Sequence, residues 1–254
     1  MSDKSAIEWT DATWNPVTGC SKVSPGCKNC YAEVFAERFR GVTGHPFEQG
    51  FDLKLWPERL DKPFEWKKSR MIFVNSMSDL FHKDVPDSFI EKVFDVMCVA
   101  QQHTFQVLTK RTERMTQWVN NFCDDRQFSL PENIWLGSSI ENDDHAWRID
   151  CLQETNAQIR FLSVEPLLGR IILNEKRLRD IHWVIVGGES GHGARPMDTD
   201  WVREIKFQCE KFKVPFFFKQ WGTYDVHGLR VGKKKAGRIL DGRTWDALPR
   251  LKQA

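Results

Sequence analysis

A short apolar run that ends in small or polar residues and leads into an amphipathic stretch recurs six times along the 254 residues. The runs are Met71 to Val74 before NSMSD, Phe105 to Leu108 before TKR, Ile134 to Gly137 before SSIEN, Ile159 to Leu162 before SVEP, Trp183 to Val186 before GGESG, and Phe216 to Phe218 before KQWG. Segments with helical spacing lie between them, as at 87–100, 111–122, 143–153 and 199–212. Runs of β-branched and aromatic residues alternating with helices imply a parallel sheet. A strand near Trp14 to Thr18 and a helix near Tyr31 to Phe39 bring the count to about seven β-α steps, which suits an α/β fold built as a partial or nearly closed parallel (β/α) barrel. An open doubly wound sheet is the structural alternative.

Polar residues stand where each expected strand ends, the face where parallel α/β proteins bind ligands. Asn75, Ser78, Asp79, Lys110, Ser138, Glu141, Asn142, Glu165, Glu189, Lys219 and Gln220 are expected there. The bland alternative for each is a helix cap or loop residue. Residues 41–69, with Pro57 and Pro63, fall outside the repeat and read as an insertion in a barrel spanning 1–223. Residues 224–254, with Lys233, Lys234, Lys235, Arg238, Arg243 and Arg250, read as an irregular basic extension packed on that barrel.

Hydrophobic residues make up 41% and charged residues 28%, a globular composition. The formal net charge of +2 leaves room for a local basic patch and does not favour wholesale nucleic-acid binding. No stretch has the length and apolarity of a membrane span, and the polar start MSDKSAIEWTD lacks the apolar core of a secretory signal, so the expected compartment is the cytoplasm, with no membrane partner. Oligomeric state is not legible.

Seven cysteines without an export signal do not read as a disulfide framework. Cys98, Cys123, Cys151 and Cys209 stand in helix-like segments, where the plain reading is a buried thiol. Cys20, Cys27 and Cys30 sit together in TGCSKVSPGCKNCYAE, spaced C-x6-C-x2-C on a Gly- and Pro-containing loop before a helix. Structural zinc usually needs a fourth ligand, and only the distant His45 offers one. Three cysteines without a fourth suit a 4Fe-4S cluster with one iron open to an outside ligand. Zinc, or thiols holding neither, are the alternatives.

The segments IEWTDATWNPVTGC, GCKNCYAE, VNSMSDLFH, FQVLTKR, IWLGSSIEN, FLSVEPLLG, WVIVGGESG and FFFKQWG resemble the phage-associated three-cysteine-motif proteins, which are similar to radical S-adenosylmethionine (SAM) enzymes. The resemblance covers nearly the whole chain. It implies a radical SAM barrel, a 4Fe-4S cluster on Cys20, Cys27 and Cys30, SAM as second cofactor and an electron donor as partner. The wider radical SAM pattern has C-x3-C-x2-C with an aromatic just before the third cysteine; here the first gap is longer, Asn29 takes that place and Tyr31 follows.

By position, Asn75, Ser76 and Ser78 are candidates for the methionine end of SAM, with Ser138 and Glu141 as further cofactor candidates. The wider family often places Gly-Gly-Glu after its second barrel strand; here Gly187, Gly188 and Glu189 follow a late one and are candidates for contact with adenosine or substrate. GGESGHG lacks the dinucleotide fingerprint spacing. Glu165, Glu189 and Lys219 are the candidate catalytic residues, the two carboxylates as an acid-base pair; hydrogen bonding to SAM or helix capping is their alternative role. Trp221, beside Lys219 and Gln220, is the candidate stacking surface for a nucleobase. Together with the basic extension it favours a nucleic acid or nucleotide as substrate, with a peptide or small metabolite as the alternative.

Overall fold

The computed structural model describes residues 4–249. Arg250 and the end of the expected extension lie outside the described residues. The chain divides into two compact units, one running through Gly137 and including Thr155–Gln158, the other made of Ser138–Glu154 and the chain from Ile159.

In the first unit β1 (Ala12–Trp14) leads to β2 (Val17–Thr18) and α1 (Tyr31–Glu37), then to β3 (Lys54–Leu55) and α2 (Lys62–Glu65). There follow β4 (Met71–Val74), α3 (Asp87–Val99), β5 (Thr104–Thr109), α4 (Thr112–Arg126) and β6 (Ile134–Ser139), whose end passes into the second unit. The second unit continues with α5 (Trp147–Gln153), β7 (Ile159–Val164), α6 (Glu175–Leu178), β8 (Trp183–Gly187), α7 (Thr199–Lys211), β9 (Phe216–Gln220) and α8 (Lys233–Ala236).

All six expected runs form strands. They are buried almost throughout, and β8 (WVIVG) is buried at every position, as a parallel strand covered on both faces requires. α3 buries Phe89, Ile90, Val93, Phe94, Val96 and Met97 at helical spacing; full burial of a side chain such as Phe94 contributes about 2–3 kcal/mol.

The seven-stranded sheet has the order β1-β4-β5-β6-β7-β8-β9, parallel through pairs such as Trp14 with Val74 and Val186 with Phe218. Its strands therefore follow one another in chain order. A doubly wound sheet reverses its order partway, whereas right-handed crossovers that never reverse are the winding of a (β/α) barrel. The fold is α/β, a partial parallel (β/α) barrel, and the doubly wound alternative is excluded.

The stretch expected as one strand at Trp14 to Thr18 splits at Asn15 and Pro16. β1 joins the main sheet, and β2 pairs antiparallel with β3 from residues 41–69, Val17 opposite Leu55. The Trp56 indole N–H donates to the Thr18 hydroxyl at 2.8 Å, and that of Trp14 donates to the Arg59 carbonyl at 2.7 Å. In the second unit, the chain after β9 returns along it: Phe217 bridges Asp246, the Phe218 N–H donates to the Trp245 carbonyl, and the Trp183 indole donates to the Ala247 carbonyl. No helix among the described residues is long and apolar enough to cross a membrane.

Candidate functional site

The three cysteines lie on the loop between β2 and α1. Gly19 opens it at φ +83°, and a Cβ there would stand 2.2 Å from the Asp52 carbonyl oxygen, so backbone angle and space both require glycine. The Cys20 N–H donates to the Phe51 carbonyl at 3.2 Å. Cys27 closes a single 3-10 turn, Pro25–Cys27, and Cys30 precedes the first residue of α1. The Tyr31 hydroxyl donates to the Ser76 carbonyl at 2.5 Å, which ties the start of α1 to the end of β4.

All three thiols are free and half-buried. Burial pushes the Cys20 thiol up to about 11, the Asp79 carboxylate adds to this, and the Arg111 guanidinium opposes it. Burial raises Cys30 too, against N–H groups of Glu33 and Ala32 that favour its thiolate. The charge of Cys27 acts on both neighbours, so the three sulfurs lie within electrostatic reach. Among the described residues no group of three or more His, Cys, Asp and Glu side chains, these cysteines included, is gathered tightly enough to hold one metal ion.

Asn75, Ser76 and Ser78 follow β4 and grip this loop. Asn75 is buried at φ 60°; its Oδ1 accepts from the Val17 N–H at 3.3 Å and its own N–H donates to the Trp14 carbonyl at 2.7 Å. The Ser76 hydroxyl bonds the Asn15 amide at 3.2 Å, and the Ser78 hydroxyl donates to the Val17 carbonyl at 2.8 Å. The Asn75 Nδ2 is buried without a hydrogen-bond partner among the described residues. That orphaned donor is suited to a bound acceptor such as a carboxylate.

Arg111, which the sequence reading did not single out, joins the loop to β5. Its Nη1 lies 3.4 Å from the Cys20 sulfur and 2.9 Å from Asp79 Oδ2, and its Nη2 donates to the Ser21 carbonyl and hydroxyl at 3.0 Å. Asp79 is buried; it also accepts from the Thr109 hydroxyl at 2.7 Å and the Lys110 N–H at 3.2 Å. The Ser21 hydroxyl reaches His82 Nε2 at 2.7 Å. The signal was present as the TKR that ends β5, but only tertiary contact shows that the arginine turns to a cysteine 91 residues earlier.

In the second unit, Glu165 follows β7 and its Oε1 stands 3.2 Å from the Lys219 ammonium on β9; the Ser163 hydroxyl donates to Oε2 at 3.3 Å. Both charged side chains are mostly buried, at 14% and 18% exposure. A Cβ on Gly187 would lie 2.3 Å from Glu165 Oε1, and one on Gly188 would lie 1.9 Å from the Trp221 carbonyl oxygen. The two glycines thus make room for a carboxylate and for a backbone.

Glu189 is buried and held by Arg195, whose Nη2 reaches Oε1 at 2.6 Å while its Nε and N–H reach Oε2 at 2.9 and 2.8 Å. It does not pair with Glu165 through any of these bonds. Gln220 extends Nε2 toward the Gly188 carbonyl at 3.4 Å, and its Oε1 is buried without a partner among the described residues. After β6, Ser138 and Glu141 are fully buried, and Arg148 Nη1 donates to Glu141 Oε2 at 3.0 Å and to the Ser139 carbonyl at 2.8 Å.

The expected stacking surface at Trp221 is not present. Its ring is 2% exposed, lies edge-on to Phe218 at 4.9 Å, and donates to the Ile239 carbonyl at 2.8 Å. The residues after β9 fill the space above it. Arg238 pairs with Asp246, and the Arg243 guanidinium covers the Trp245 ring at 3.6 Å, whereas Lys233, Lys234 and Lys235 of α8 are exposed. Cys98, Cys123, Cys151 and Cys209 lie on α3, α4, α5 and α7 outside any disulfide; burial raises Cys98 to about 11 and Cys209 further.

No curated protein matches the chain significantly. Among solved structures, it is similar to spore photoproduct lyase complexed with dinucleoside spore photoproduct, at 11% identity and a TM-score of 0.44 over 77% of this chain and 59% of that one. A mutant of that lyase with bound AdoMet and dinucleoside spore photoproduct gives 13% identity and a TM-score of 0.44 over 78% and 61%. The chain thus spans about three-fifths of the length of these solved chains. Over residues 4–249 it matches, and so belongs to, the family described as "Protein of unknown function (DUF5131)".

Proposed function

We propose that the chain is a radical SAM enzyme whose Cys20, Cys27 and Cys30 hold a 4Fe-4S cluster. The observation that carries this reading is the set of three half-buried thiols, none in a disulfide, within electrostatic reach of one another on the loop between β2 and α1. A cluster takes its three thiolates on three different irons and leaves the fourth open, so it fits that donor set better than a closed zinc site does. Bound there, cluster and SAM would supply one-electron radical chemistry for taking hydrogen from a substrate.

The chain's own residues set the conditions for this. Asn75, Ser76 and Ser78 fix the cysteine loop to β4, and the unpartnered Asn75 amide offers a donor to the SAM carboxylate. Arg111 places positive charge beside Cys20 and offsets the burial that disfavours its thiolate. In the second unit, Glu165 and Lys219 form the pair able to give or take a proton, with Gly187 leaving room for the carboxylate. Glu189 is assigned to holding the GGESG loop through Arg195, and Glu141 and Ser138 to the buried support after β6. For the substrate, the exposed lysines of α8 support a nucleic acid or nucleotide. The chemistry also requires an electron donor.

The test is anaerobic reconstitution. About four iron and four sulfide per chain are expected, lost in Cys20→Ala, Cys27→Ala and Cys30→Ala and kept in Cys98→Ala and Cys151→Ala. Reduced, loaded protein should convert SAM to 5'-deoxyadenosine. Stoichiometric zinc, or iron retained by Cys27→Ala, overturns the reading.

A further inference from the structure

Beside the cysteine loop, between the ends of β1 and β4 and residues 41–69, lies a cavity of about 320 Å³. Its walls include Thr13, Phe35, His45, Phe47, Arg59 and Ser76. The volume is near the lower end for small-molecule sites, the size of a single nucleotide. We infer that this cavity binds one nucleotide, its base against Phe35 and Phe47 and its phosphate on Arg59.

The walls divide by chemistry. Phe35 and Phe47 meet edge to face with centroids 5.6 Å apart, forming an aromatic corner, and Phe35 leaves 43% of its surface open. An exposed ring beside a cavity is a stacking face for a planar base. His45 stacks on Phe39 at 3.8 Å and accepts from the Phe47 N–H through Nδ1, which orients the ring and leaves Nε2 for a ligand.

Arg59 supplies the charge. Its Nη1 donates to the Asn15 carbonyl at 3.3 Å and its guanidinium lies on the Trp56 ring at 3.7 Å, yet no carboxylate forms an ion pair with it among the described residues. A half-buried, oriented arginine on which Glu58 acts only electrostatically, with no ion pair among the described residues, is suited to a phosphate. Thr13, only 8% exposed, lines the same cavity with its hydroxyl-bearing side chain. The same cation disfavours the sulfonium of SAM, so charge separates this cavity's ligand from the cofactor. Of the residues lining the cavity only Ser76 belongs to the set expected to bind SAM; Phe35, Phe47, Arg59 and His45 do not.

The inference rests on the nucleic-acid part of the proposed function, not on its radical chemistry. Equilibrium dialysis of the full chain, with and without reconstituted iron, tests it using the four deoxynucleoside 5'-monophosphates, the matching nucleosides and SAM. Monophosphates should bind in both preparations, about tenfold or more tighter than nucleosides. Arg59→Gln should abolish that preference while leaving nucleoside binding in place, and Arg59→Lys should restore part of it. Phe35→Ala, at an exposed position, should weaken monophosphate and nucleoside alike by about tenfold. No monophosphate binding at about millimolar concentration overturns the inference. So does an unchanged affinity in Arg59→Gln, or one-for-one displacement by SAM. Failure of the radical reading would show separately, as absent iron or absent 5'-deoxyadenosine with nucleotide binding intact.

Discussion

Arg111 and Cys20, 91 residues apart, meet at 3.4 Å between Nη1 and sulfur. The same nitrogen donates to Asp79 at 2.9 Å, so one guanidinium serves a buried carboxylate and a thiol together. Their side chains are only 12% and 8% exposed for Arg111 and Asp79, which makes the pair costly to break from one side. Arg111→Ala should destabilise the first unit by about 3 kcal/mol in urea unfolding, because it leaves Asp79 buried and unpaired. Adding Asp79→Asn should recover part of that loss. A single variant as stable as the parent would show that the Thr109, Lys110 and Phe81 donors satisfy Asp79 without Arg111.

Gly187 and Gly188 are adjacent but should respond differently to a methyl group. At Gly187 the new Cβ meets the tip of a side chain, Glu165, which can swing away; at Gly188 it meets the Trp221 backbone carbonyl, which cannot. Gly188→Ala should therefore cost several kcal/mol, about 3 or more, and show as a lower midpoint of unfolding. Gly187→Ala should cost less stability than Gly188→Ala while displacing Glu165 from Lys219, seen as lost substrate turnover with conversion of SAM to 5'-deoxyadenosine retained.

The exposed ion-pair cluster behind the cysteine loop gives a pH dependence. Glu37 accepts from Arg40 at 2.6 and 2.7 Å and from the Phe51 N–H at 2.9 Å, and these donors hold its carboxyl down at about 2 from an ordinary 4.5. A depressed carboxylate contributes stability that is complete above its unfolded pKa and lost as pH falls through the folded one. The contribution should thus fade between about 4.5 and about 2. NMR titration of the Glu37 side chain should show the low midpoint, and Arg40→Gln should move it up toward the ordinary value. An ordinary midpoint in the parent would remove Arg40 as the cause.

The parts of this fold that were legible from sequence are those set by local periodicity. β4 to β9 announced themselves because strands buried on both faces must be continuously apolar, and α3, α4 and α7 because their buried positions recur every three or four residues. Asn15 and Pro16 hid the break between β1 and β2, since the pairing that separates them comes from Leu55, far along the chain. The cysteine spacing pointed to one loop, but the partners that hold it, Arg111 above all, depend on tertiary placement. The tie between Glu189 and Arg195 was not legible because Arg195 is six residues on, across a glycine-rich turn whose path no period describes. Trp221 misled for a related reason: its burial is created by Ile239 and the returning C-terminal segment, not by its own neighbours.

The burial of Trp221 also changes what its removal should do. Trp221→Ala deletes a ring packed on Phe218 and an indole bond to Ile239, so it should cost about 3–5 kcal/mol of stability. Any weakening of nucleic-acid binding should then follow unfolding and vanish at temperatures where the variant is folded. A folded Trp221→Ala with selectively lost binding would restore a stacking role for this ring.

The basic extension makes a narrower offer to nucleic acid than its charge count suggests. Arg238 is engaged by Asp246 and Arg243 by the Trp245 ring, while Lys233, Lys234 and Lys235 stand exposed on consecutive positions of α8. Each lysine that neutralises a phosphate releases counterions, and the logarithm of affinity falls with the logarithm of salt by about 0.7 to 0.9 per contact. Replacing all three lysines by glutamine should therefore flatten the slope by about 2 to 3 in titrations with single- or double-stranded DNA or RNA. Stability should change little, since none of the three side chains is buried. Iron content and SAM cleavage should be untouched as well. Arg243→Gln should do the opposite, lowering stability through the lost contact with Trp245 and leaving the salt slope where it was. If the triple variant kept the parental slope, α8 would not face the phosphate backbone, and the nucleotide cavity beside the cysteine loop would have to recognise its ligand without it.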